Sequence, residues 1–410
     1  MIAAIVLFVL DAAAADVKLT WIPGSSVKVE QMVGDCDYTA LAKTGQCAPT
    51  ASRTIARAKV VGTDLGASFE SQGKLIFLFG DTTGPDEEYF AGDTMASTTS
   101  TDPAGGLMLD FFSNNDGTPY FIRIAGVRMG AAEVPNAGIR LDNATYIVCD
   151  SGADRDLPDP SANKRSVLTR FDETTRRFSV LRTLSSMPSG RFITTSLYRF
   201  GSDVLIFGLG AYRASHVYLS TVPASSFESG QGTRYFTGLV NGQPTWSTSE
   251  SASVPVVLDT NTTPTIGNAS VTFSSDLGLW LMTYDTFGSS SSTRGVYFAY
   301  ASQPWGPWSA PQLIFNQVRD GAMGQYIHDP SIVPNPPGDG LNGPIIGQND
   351  PYTTRGGFYA PYMIERFTRV TGNKLSIYYT GSTWNPYTIV MMRSDLTIGT
   401  QSSRRRAVRH

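Results

Sequence analysis

Strongly hydrophobic runs of eight or nine residues occur five times along the chain, each bounded by turn-forming residues. They are Lys74–Asp81, Asn143–Asp150, Asp203–Gly210, Leu277–Asp285 and Lys374–Ser382. Each run is followed by a second stretch that also favours strand structure. Short apolar runs between turn signals are typical of buried β-strands. The pattern therefore predicts five similar β-sheet units.

A short segment rich in small residues precedes each run, and we predict that it forms the innermost strand of its unit. Small sheets cannot bury both faces alone, and repeated β-units stack around an axis as the blades of a propeller. We therefore predict an all-β fold, a five-bladed β-propeller over residues 16–400, with its functional residues near the axis. The predicted innermost strands are Gly62–Phe69, Pro135–Leu141, Phe192–Tyr198, Ile266–Phe273 and Gly357–Ile364.

The charge pattern argues against a polyanionic partner. The 410 residues carry 32 Lys and Arg against 35 Asp and Glu, a net charge of −3, and the basic stretch 401–410 is predicted to be a disordered tail. Without a basic stripe, nucleic-acid binding is not expected. A closed propeller leaves no sheet to share, so we expect a monomer.

The first residues resemble an export signal. Residues 2–10 are apolar but too few to span a bilayer, and Ala13–Ala15 precede Asp16 as small residues precede a cleavage site. We predict a signal peptide over residues 1–15, a secreted protein and no membrane anchor. The absence of Lys and Arg before the apolar run leaves a first buried strand as the alternative.

Three cysteines are present. Cys36 and Cys47 bracket a polar loop, which predicts a disulfide in a secreted chain. Cys149 lies inside a hydrophobic run, where we expect a buried, free thiol. No cysteine or histidine spacing resembles a metal site, and we predict neither a metal nor another cofactor.

Carboxylates are the remaining candidates for acid–base chemistry, because the chain has three histidines and no nucleophile or nucleotide-binding motif. Asp64 lies in the first predicted innermost strand, and Asp81 ends the first hydrophobic run. Strand alternation and the return turn would bring both side chains to the same end of one blade. Two carboxylates there could act as nucleophile and general acid/base on a glycosidic bond.

A structural role is the alternative for each of these acids. Asp150 and Asp285 occupy the position of Asp81 in the second and fourth units. An Asp at a strand end commonly accepts hydrogen bonds from nearby backbone amides. Asp64 could equally be an internal acid that joins two blades, and Glu133, before the second innermost strand, is a reserve acid.

Further residues near the predicted axis could bind sugar. Aromatic rings stack on the apolar faces of sugars, although packing in the core explains such rings equally well. The polar candidates could bind hydroxyl groups, or could hold turns, and the arginine could pair with an axial Asp. The predicted substrate-binding residues are Arg191, Asn268, Asp285, His328, Asp329, Tyr359, Trp384 and Asn385.

Four segments together resemble a family long labelled a domain of unknown function. They are GTDLG at Gly62–Gly66, LFGDT at Leu78–Thr82, GGFYAPY at Gly356–Tyr362 and YYTGSTWNPY at Tyr378–Tyr387. The resemblance extends from about Thr54 to Leu396. Characterised bacterial members of that family are endo-D-arabinanases, which cut the arabinan of mycobacterial cell walls.

The resemblance implies a five-bladed propeller and a retaining mechanism with two catalytic aspartates, at the positions of Asp64 and Asp81. We favour Asp64 as the nucleophile and Asp81 as the acid/base. The third unit departs from the pattern, because it ends in Gly-Leu-Gly instead of an acid. Two other hypotheses stay open: a carbohydrate-binding propeller without activity, and a different glycosidase or polysaccharide lyase on the same scaffold.

Overall fold

Five antiparallel β-sheets, arranged as the blades of a propeller, form the fold in a computed structural model. The structure describes residues 17–85, 92–130, 133–152, 165–257, 264–287, 290–332, 341, 350 and 352–400. The predicted signal peptide (1–15) and basic tail (401–410) lie outside the described residues. The all-β, five-bladed prediction is confirmed.

The chain starts with strands β1 (Val17–Trp21) and β2 (Val27–Gln31), followed by short helices α1 (Tyr38–Thr44) and α2 (Thr54–Ala58). Blade 1 contains β3 (Gly62–Ser71), β4 (Lys74–Thr83), β5 (Gly92–Thr98) and β6 (Asp110–Phe111). Blade 2 contains β7 (Pro135–Leu141), β8 (Ala144–Ser151), β9 (Arg165–Asp172) and β10 (Arg177–Ser186).

Blade 3 contains β11 (Thr194–Phe200), β12 (Asp203–Leu209), β13 (Val217–Pro223), β14 (Arg234–Val240), β15 (Gln243–Ser247) and β16 (Pro255–Val257). Blade 4 contains β17 (Ile266–Ser274), β18 (Leu279–Thr286), β19 (Gly295–Ala301) and β20 (Gln312–Phe315). Blade 5 contains β21 (Phe358–Tyr359), β22 (Arg369–Thr371), β23 (Lys374–Trp384) and β24 (Tyr387–Thr400).

Both ends of the described chain meet in blade 5. Strand β1 pairs antiparallel with β24, placing Val17 opposite Thr400, and β2 pairs with another part of the same strand. This pairing closes the ring of blades with backbone hydrogen bonds between distant parts of the chain. The hydrophobic pattern did not predict it, because these N-terminal strands carry no strong apolar run.

The innermost strands are β3, β7, β11 and β17, which line an axial cavity of about 290 Å³. The fifth predicted innermost strand is only partly regular, because β-pairing there stops after Tyr359. Ala360 adopts a left-handed φ of 57°, and Pro361 has no backbone N–H to donate. The segment pairs again at a single bridge between Met363 and Tyr379.

The hydrophobic runs are buried on both faces because each blade is covered by its two neighbours. In β4, Phe77 packs in a cluster with Ile389 of blade 5, whereas Leu78 packs in a cluster with Ile147 of blade 2. All four side chains are fully buried. Two covered faces explain why the runs are continuously apolar instead of alternating.

The cysteine predictions are confirmed. Cys36 and Cys47 form a disulfide across α1, with 5.2 Å between their Cα atoms, and Cys149 is free and buried. No helix among the described residues is both long and apolar enough to cross a lipid bilayer.

Candidate active site

The sheet register brings Asp64 and Asp81 to one end of blade 1. Asp64 of β3 lies opposite Gly80 of β4, and register shifts flank this pair on both sides. Asp81 directly follows Gly80, where the pairing of β4 with β3 and β5 is irregular. Bulges of this kind redirect side chains and are frequent beside active sites.

The Tyr359 hydroxyl holds one oxygen of the Asp64 carboxyl group. Its side chain is buried, with the residue 7% exposed, and its Oδ2 accepts from the Tyr359 hydroxyl at 2.7 Å. Its Oδ1 has no hydrogen-bond partner among the described residues and lies over Gly80. A buried carboxylate oxygen without a donor is rare in native proteins and calls for an explanation.

Burial raises the pKa of Asp64 to about 6, although the hydrogen bond from Tyr359, the positive charge of Arg213 and the Tyr387 hydroxyl oppose this rise. Burial and the neighbouring Asp64 raise the pKa of Tyr359 well above its ordinary value. Tyr359 therefore stays protonated as the donor, while Asp64 changes its charge close to neutral pH.

The backbone around these carboxylates is strained. Asp81, Leu65 and Ala360 all have left-handed conformations, with φ of 30°, 69° and 57°. The Asp81 turn is held by two contacts: its N–H donates to Asp93 Oδ1 at 3.1 Å, and its carbonyl accepts from the Tyr387 hydroxyl at 3.0 Å. Strained residues persist where the surroundings enforce them, and they cluster at functional sites.

Asp93 is a buried acid that the sequence reasoning missed. It lies at the start of β5, is fully buried, and its Oδ2 has no hydrogen-bond partner among the described residues. Burial, followed by the charge of Asp81, raises the pKa of Asp93 well above its ordinary value. The signal was present, because Gly92-Asp93-Thr94 repeats the Gly80-Asp81-Thr82 tripeptide.

Arg213, also missed, is the cation beside Asp64. Its guanidinium carbon lies 3.9 Å from the Phe287 ring centroid and 5.7 Å from that of Tyr359. The structure places the predicted Arg191 elsewhere: its guanidinium donates to Ser253 and lies 5.0 Å from the Tyr218 ring centroid. No sequence motif marks Arg213, which lies in a loop after β12.

Asp150 and Asp285 act as clamps at strand ends. Asp150 accepts from the Val134 N–H at 2.7 Å, and Asp285 accepts from the N–H groups of Asn268 and Ala360 at 2.5 and 2.9 Å. This is the structural role considered above for acids at strand ends. Burial raises the pKa of Asp150 to about 8, against the Val134 hydrogen bond, and raises that of Asp285.

Asn268, the remaining candidate of blade 4, contributes a contact across blades. Its side-chain amide donates to the Tyr362 hydroxyl at 2.9 Å, which joins β17 to the segment after β21. Glu133, the reserve acid, is buried and accepts from the N–H groups of Gly130 and Gly152. Its carboxylate also pairs with Arg128 at 3.3 Å.

Two aromatic candidates lie beside Asp64. The rings of Tyr359 and Trp384 are 5.8 Å apart between centroids, and the half-buried Trp384 donates its indole N–H to the Arg355 carbonyl at 2.8 Å. Leu65 and Phe287 extend the same apolar patch. A ring surface next to a carboxylate suits the apolar face of a sugar.

The other predicted binding residues lie in a buried turn near Trp384. The His328 ring contacts the Tyr352 carbonyl at 3.0 Å, and Asp329 pairs with Arg355 at 2.9 Å. Burial tends to raise the pKa of Asp329, but hydrogen bonds from Ser331 and the charge of Arg355 hold it below its ordinary value. The Asn385 side chain donates to the Thr354 carbonyl at 2.6 Å.

The acids are not arranged as a metal site in the part of the chain that the structure describes. Within those ranges, no group of three or more His, Cys, Asp or Glu side chains is placed to hold a metal ion. The site is therefore described by its carboxyl groups, one nearby arginine and an aromatic patch.

The fold and this arrangement define a five-bladed propeller with buried carboxyl groups at one end of blade 1. The model of the family described as "Domain of unknown function (DUF4185)" matches residues 50–393, and the chain belongs to that family. No curated protein sequence matches the chain.

Solved structures resemble this one at low sequence identity. One is a protein from Bacteroides ovatus ATCC 8483, classified provisionally as a hydrolase, with a TM-score of 0.52 and 10% identity over 96% of this chain and 97% of that one. Another is the exo-beta-1,3-galactanase of Phanerochaete chrysosporium, with a TM-score of 0.45 and 10% identity over 92% and 64%. A third is a GH43_1 enzyme from Xanthomonas citri, with a TM-score of 0.43 and 11% identity over 89% and 96%.

Proposed function

We propose that this protein is a retaining glycoside hydrolase that cleaves a furanose polysaccharide of the D-arabinan type within the chain, with Asp64 and Asp81 as its catalytic pair. One observation carries the proposal. Asp64 is anchored through one oxygen by Tyr359, keeps its other oxygen without a donor, and lies at the same end of blade 1 as Asp81.

In the first step Asp64 attacks the anomeric carbon while the bond from that carbon to the leaving oxygen breaks. Asp81 transfers its proton to the leaving oxygen, which departs as an alcohol, and a covalent ester to Asp64 remains. In the second step Asp81 takes a proton from water, and the water oxygen attacks the same carbon. The ester bond breaks, Asp64 recovers its negative charge, and the product keeps its original anomeric configuration.

The anchored oxygen supports the assignment of Asp64 as nucleophile. The Tyr359 hydrogen bond orients the carboxylate and favours its charged form, so the second oxygen can face the anomeric carbon in one defined direction. Asp81 lies at the same end of blade 1, on a turn that Asp93 and Tyr387 hold. The positive charge of Arg213 favours the ionised Asp64 as well.

The substrate class rests on the sequence resemblance together with the aromatic patch. The motifs that carry the resemblance contain Asp64, Asp81, Tyr359 and Trp384. The adjacent rings of Tyr359 and Trp384 offer an apolar surface beside the carboxylates. The overall fold shared with the Bacteroides ovatus protein agrees with a hydrolase.

Export from the cell is part of the same proposal. An extracellular polysaccharide requires the enzyme to reach it, and the Cys36–Cys47 disulfide suits an oxidising compartment. The monomeric state stays a prediction, which sedimentation of the purified protein would test.

The deciding experiment incubates the protein with arabinans and galactofuranans and follows the anomeric signals of new products by NMR. We expect cleavage of D-arabinan with retention, and a loss of at least about 10²-fold for Asp64→Asn and for Asp81→Asn. Asp150→Asn is the matched control, since that clamp acid should be replaceable without loss of cleavage. Melting temperatures of all variants show that each is folded.

The roles of the two acids are separated with an activated aryl furanoside and azide. Asp81→Ala should still form the ester and give a glycosyl azide of retained configuration, whereas Asp64→Ala should give the inverted azide. Sugar binding without any product would make the protein a binding module, and unsaturated products would make it a lyase. Either outcome would overturn the proposal.

A further inference from the structure

A third carboxyl group lies beside the proposed pair and takes no part in the steps above. Asp93 is fully buried, and its Oδ1 accepts the N–H of Asp81 at 3.1 Å. Its Oδ2 has no hydrogen-bond partner among the described residues. A charged carboxylate in such a place is costly, because one oxygen has lost water and gained no donor. A proton on that oxygen removes the charge and so lowers the cost of burial.

Asp93 is attached to the turn that carries Asp81. The register between β4 and β5 shifts between Phe79 and Thr82, so Asp81 lies in the irregular part of the strand. Its left-handed φ of 30° is a conformation that a non-glycine residue rarely adopts. The hydrogen bond to Asp93 therefore stabilises a backbone conformation that is unfavourable for Asp81 by itself.

A chain of hydroxyl groups ties the same strands together below the turn. The Thr63 hydroxyl lies 2.9 Å from that of Thr82, which lies 2.8 Å from that of Thr94. Thr63 also donates to the Gly80 carbonyl at 2.5 Å. Hydrogen bonds thus join strands β3, β4 and β5 beside Asp81, where the pairing of β4 is irregular.

The ionisable groups around Asp93 are mainly acidic. Like charges close together cannot all be ionised in a buried site, so one of them keeps a proton. Burial raises the pKa of Asp93 first, and the charge of Asp81 adds to that rise. The titratable and charged groups facing Asp93 are Asp81 on β4, Asp64 on β3, Cys149 and Asp150 on β8, Tyr387 on β24, and Arg123, whose guanidinium lies beside Gly92.

We propose that Asp93 is a positioning residue for Asp81: as a neutral carboxylic acid it fixes the turn that carries Asp81 and places no second negative charge beside it. Asp93 does not touch the substrate in this scheme. Its effect on the reaction rests on the proposed hydrolase function, whereas its neutral state does not. One measurement therefore tests the neutral state of Asp93, and an independent one tests its effect on the reaction.

The first measurement is the stability of the wild type and of Asp93→Asn by chemical denaturation, from about pH 4 to about pH 9. An acid whose pKa is raised by folding contributes its stability fully below the unfolded pKa, and the contribution is lost as pH rises towards the folded pKa. Asn cannot titrate. The wild type should therefore become progressively less stable relative to Asp93→Asn as pH rises. If the difference in stability between the wild type and Asp93→Asn did not change with pH, the proposal that Asp93 is neutral would be overturned.

The second measurement is the pH dependence of kcat and KM on D-arabinan for Asp93→Asn and Asp93→Ala. The amide keeps the acceptor oxygen, so Asp93→Asn should retain kcat within about threefold while the alkaline limb of its pH profile moves. Asp93→Ala removes the acceptor, so kcat should fall at least about tenfold with little change in KM. A purely structural role would not move the pH profile.

Two kinetic results would overturn the proposal. A loss for Asp93→Asn as large as that for Asp81→Asn would make Asp93 a catalytic residue, and wild-type kinetics for Asp93→Ala would remove its positioning role. If the wild type hydrolyses no glycan, the proposed function fails. The stability curves still decide whether Asp93 is neutral, so the two failures are distinguishable.

Discussion

The Tyr359 hydroxyl donates a hydrogen bond of 2.7 Å to Asp64 Oδ2, and these two residues lie 295 positions apart in the chain. Asp64 belongs to the first blade and Tyr359 to the last, so the bond crosses the point where the propeller ring closes. It leaves the other oxygen of Asp64 without a donor. One contact thus joins the first and last blades and holds the Asp64 carboxyl group.

The activity of the wild type should fall on the acid side of about pH 6. Burial raises the pKa of Asp64 to about 6, and a nucleophilic carboxylate must be ionised to attack. Below that pH the protonated fraction grows, so kcat/KM should fall by about tenfold for each unit. A profile measured in buffers of constant ionic strength checks this. Full activity maintained two units lower would contradict Asp64 as the nucleophile.

Tyr359→Phe should move that acid limb to higher pH. The hydroxyl stabilises the charged form of Asp64, and a hydrogen bond to a charged group contributes about 1.5–3 kcal/mol. That corresponds to a rise of about one to two units in the pKa of Asp64. Tyr362→Phe is the matched control, because the Tyr362 hydroxyl bonds to Asn268. Equal profiles for the two variants would show that the Tyr359 contact does not act on the nucleophile.

Arg213→Gln should also raise the acid limb, by roughly one unit, because it removes the positive charge that favours ionised Asp64. Arg191→Gln offers the comparison. The Arg191 guanidinium donates to Ser253, so its loss should lower the melting temperature and leave the limb in place. Kinetics and thermal denaturation of both variants would be measured together. If only Arg191→Gln moved the acid limb, Arg191 and not Arg213 would be the cation that favours ionised Asp64.

Gly80→Ala should inactivate the enzyme through Asp64. A Cβ at this position would lie 2.6 Å from Asp64 Oδ1 and 2.6 Å from Val134 Cγ1, so both must move. Overpacking of this kind costs about 1–3 kcal/mol, and a displacement of about 1 Å at a catalytic group can cost about 10²-fold in rate. A Cβ on Gly105 would meet nothing within 4 Å, so Gly105→Ala is the control. Activity and melting temperature of both variants check the prediction.

Replacing Cys36 and Cys47 together by Ser should destabilise the fold without changing the chemistry. The disulfide spans 11 positions, and the chain-entropy model predicts a loss of about 3 kcal/mol for a loop of that size. Urea denaturation of the double variant, and of the wild type with and without reductant, measures the loss. An unchanged midpoint would show that the loop is held by other contacts. Activity should stay at the wild-type level under folding conditions.

Much of the fold could be predicted because the residue pattern of each blade strand reflects the burial of its two faces. Stretches such as Leu75–Phe79 are apolar at every position because neighbouring blades cover both faces, and that pattern is readable locally. The closure of blade 5 by β1 was not readable, since pairing of Val17 with Thr400 depends on the ring being complete. The fifth innermost strand was wrong in extent, because the left-handed Ala360 interrupts it.

The candidate site was only partly predictable. Asp64 and Asp81 could be paired because strand alternation and one return turn relate them within a single blade. The sequence could not show which arginine lies beside Asp64, because Arg191 and Arg213 both lie next to predicted strands. Only the folded loop places Arg213 beside Phe287 and Tyr359. The groups that face Asp93 likewise come from three blades.

By itself the sequence determined the kind of unit that repeats, the number of repeats and the two acids of the first repeat, because these follow from hydrophobic periodicity and chain order over short distances. The tertiary structure alone decided which oxygen of Asp64 is anchored, which arginine faces it and that Asp93 is buried with it. Those features depend on packing between strands and blades, and the electrostatic energy of a carboxyl group depends on that burial and not on its neighbours in sequence.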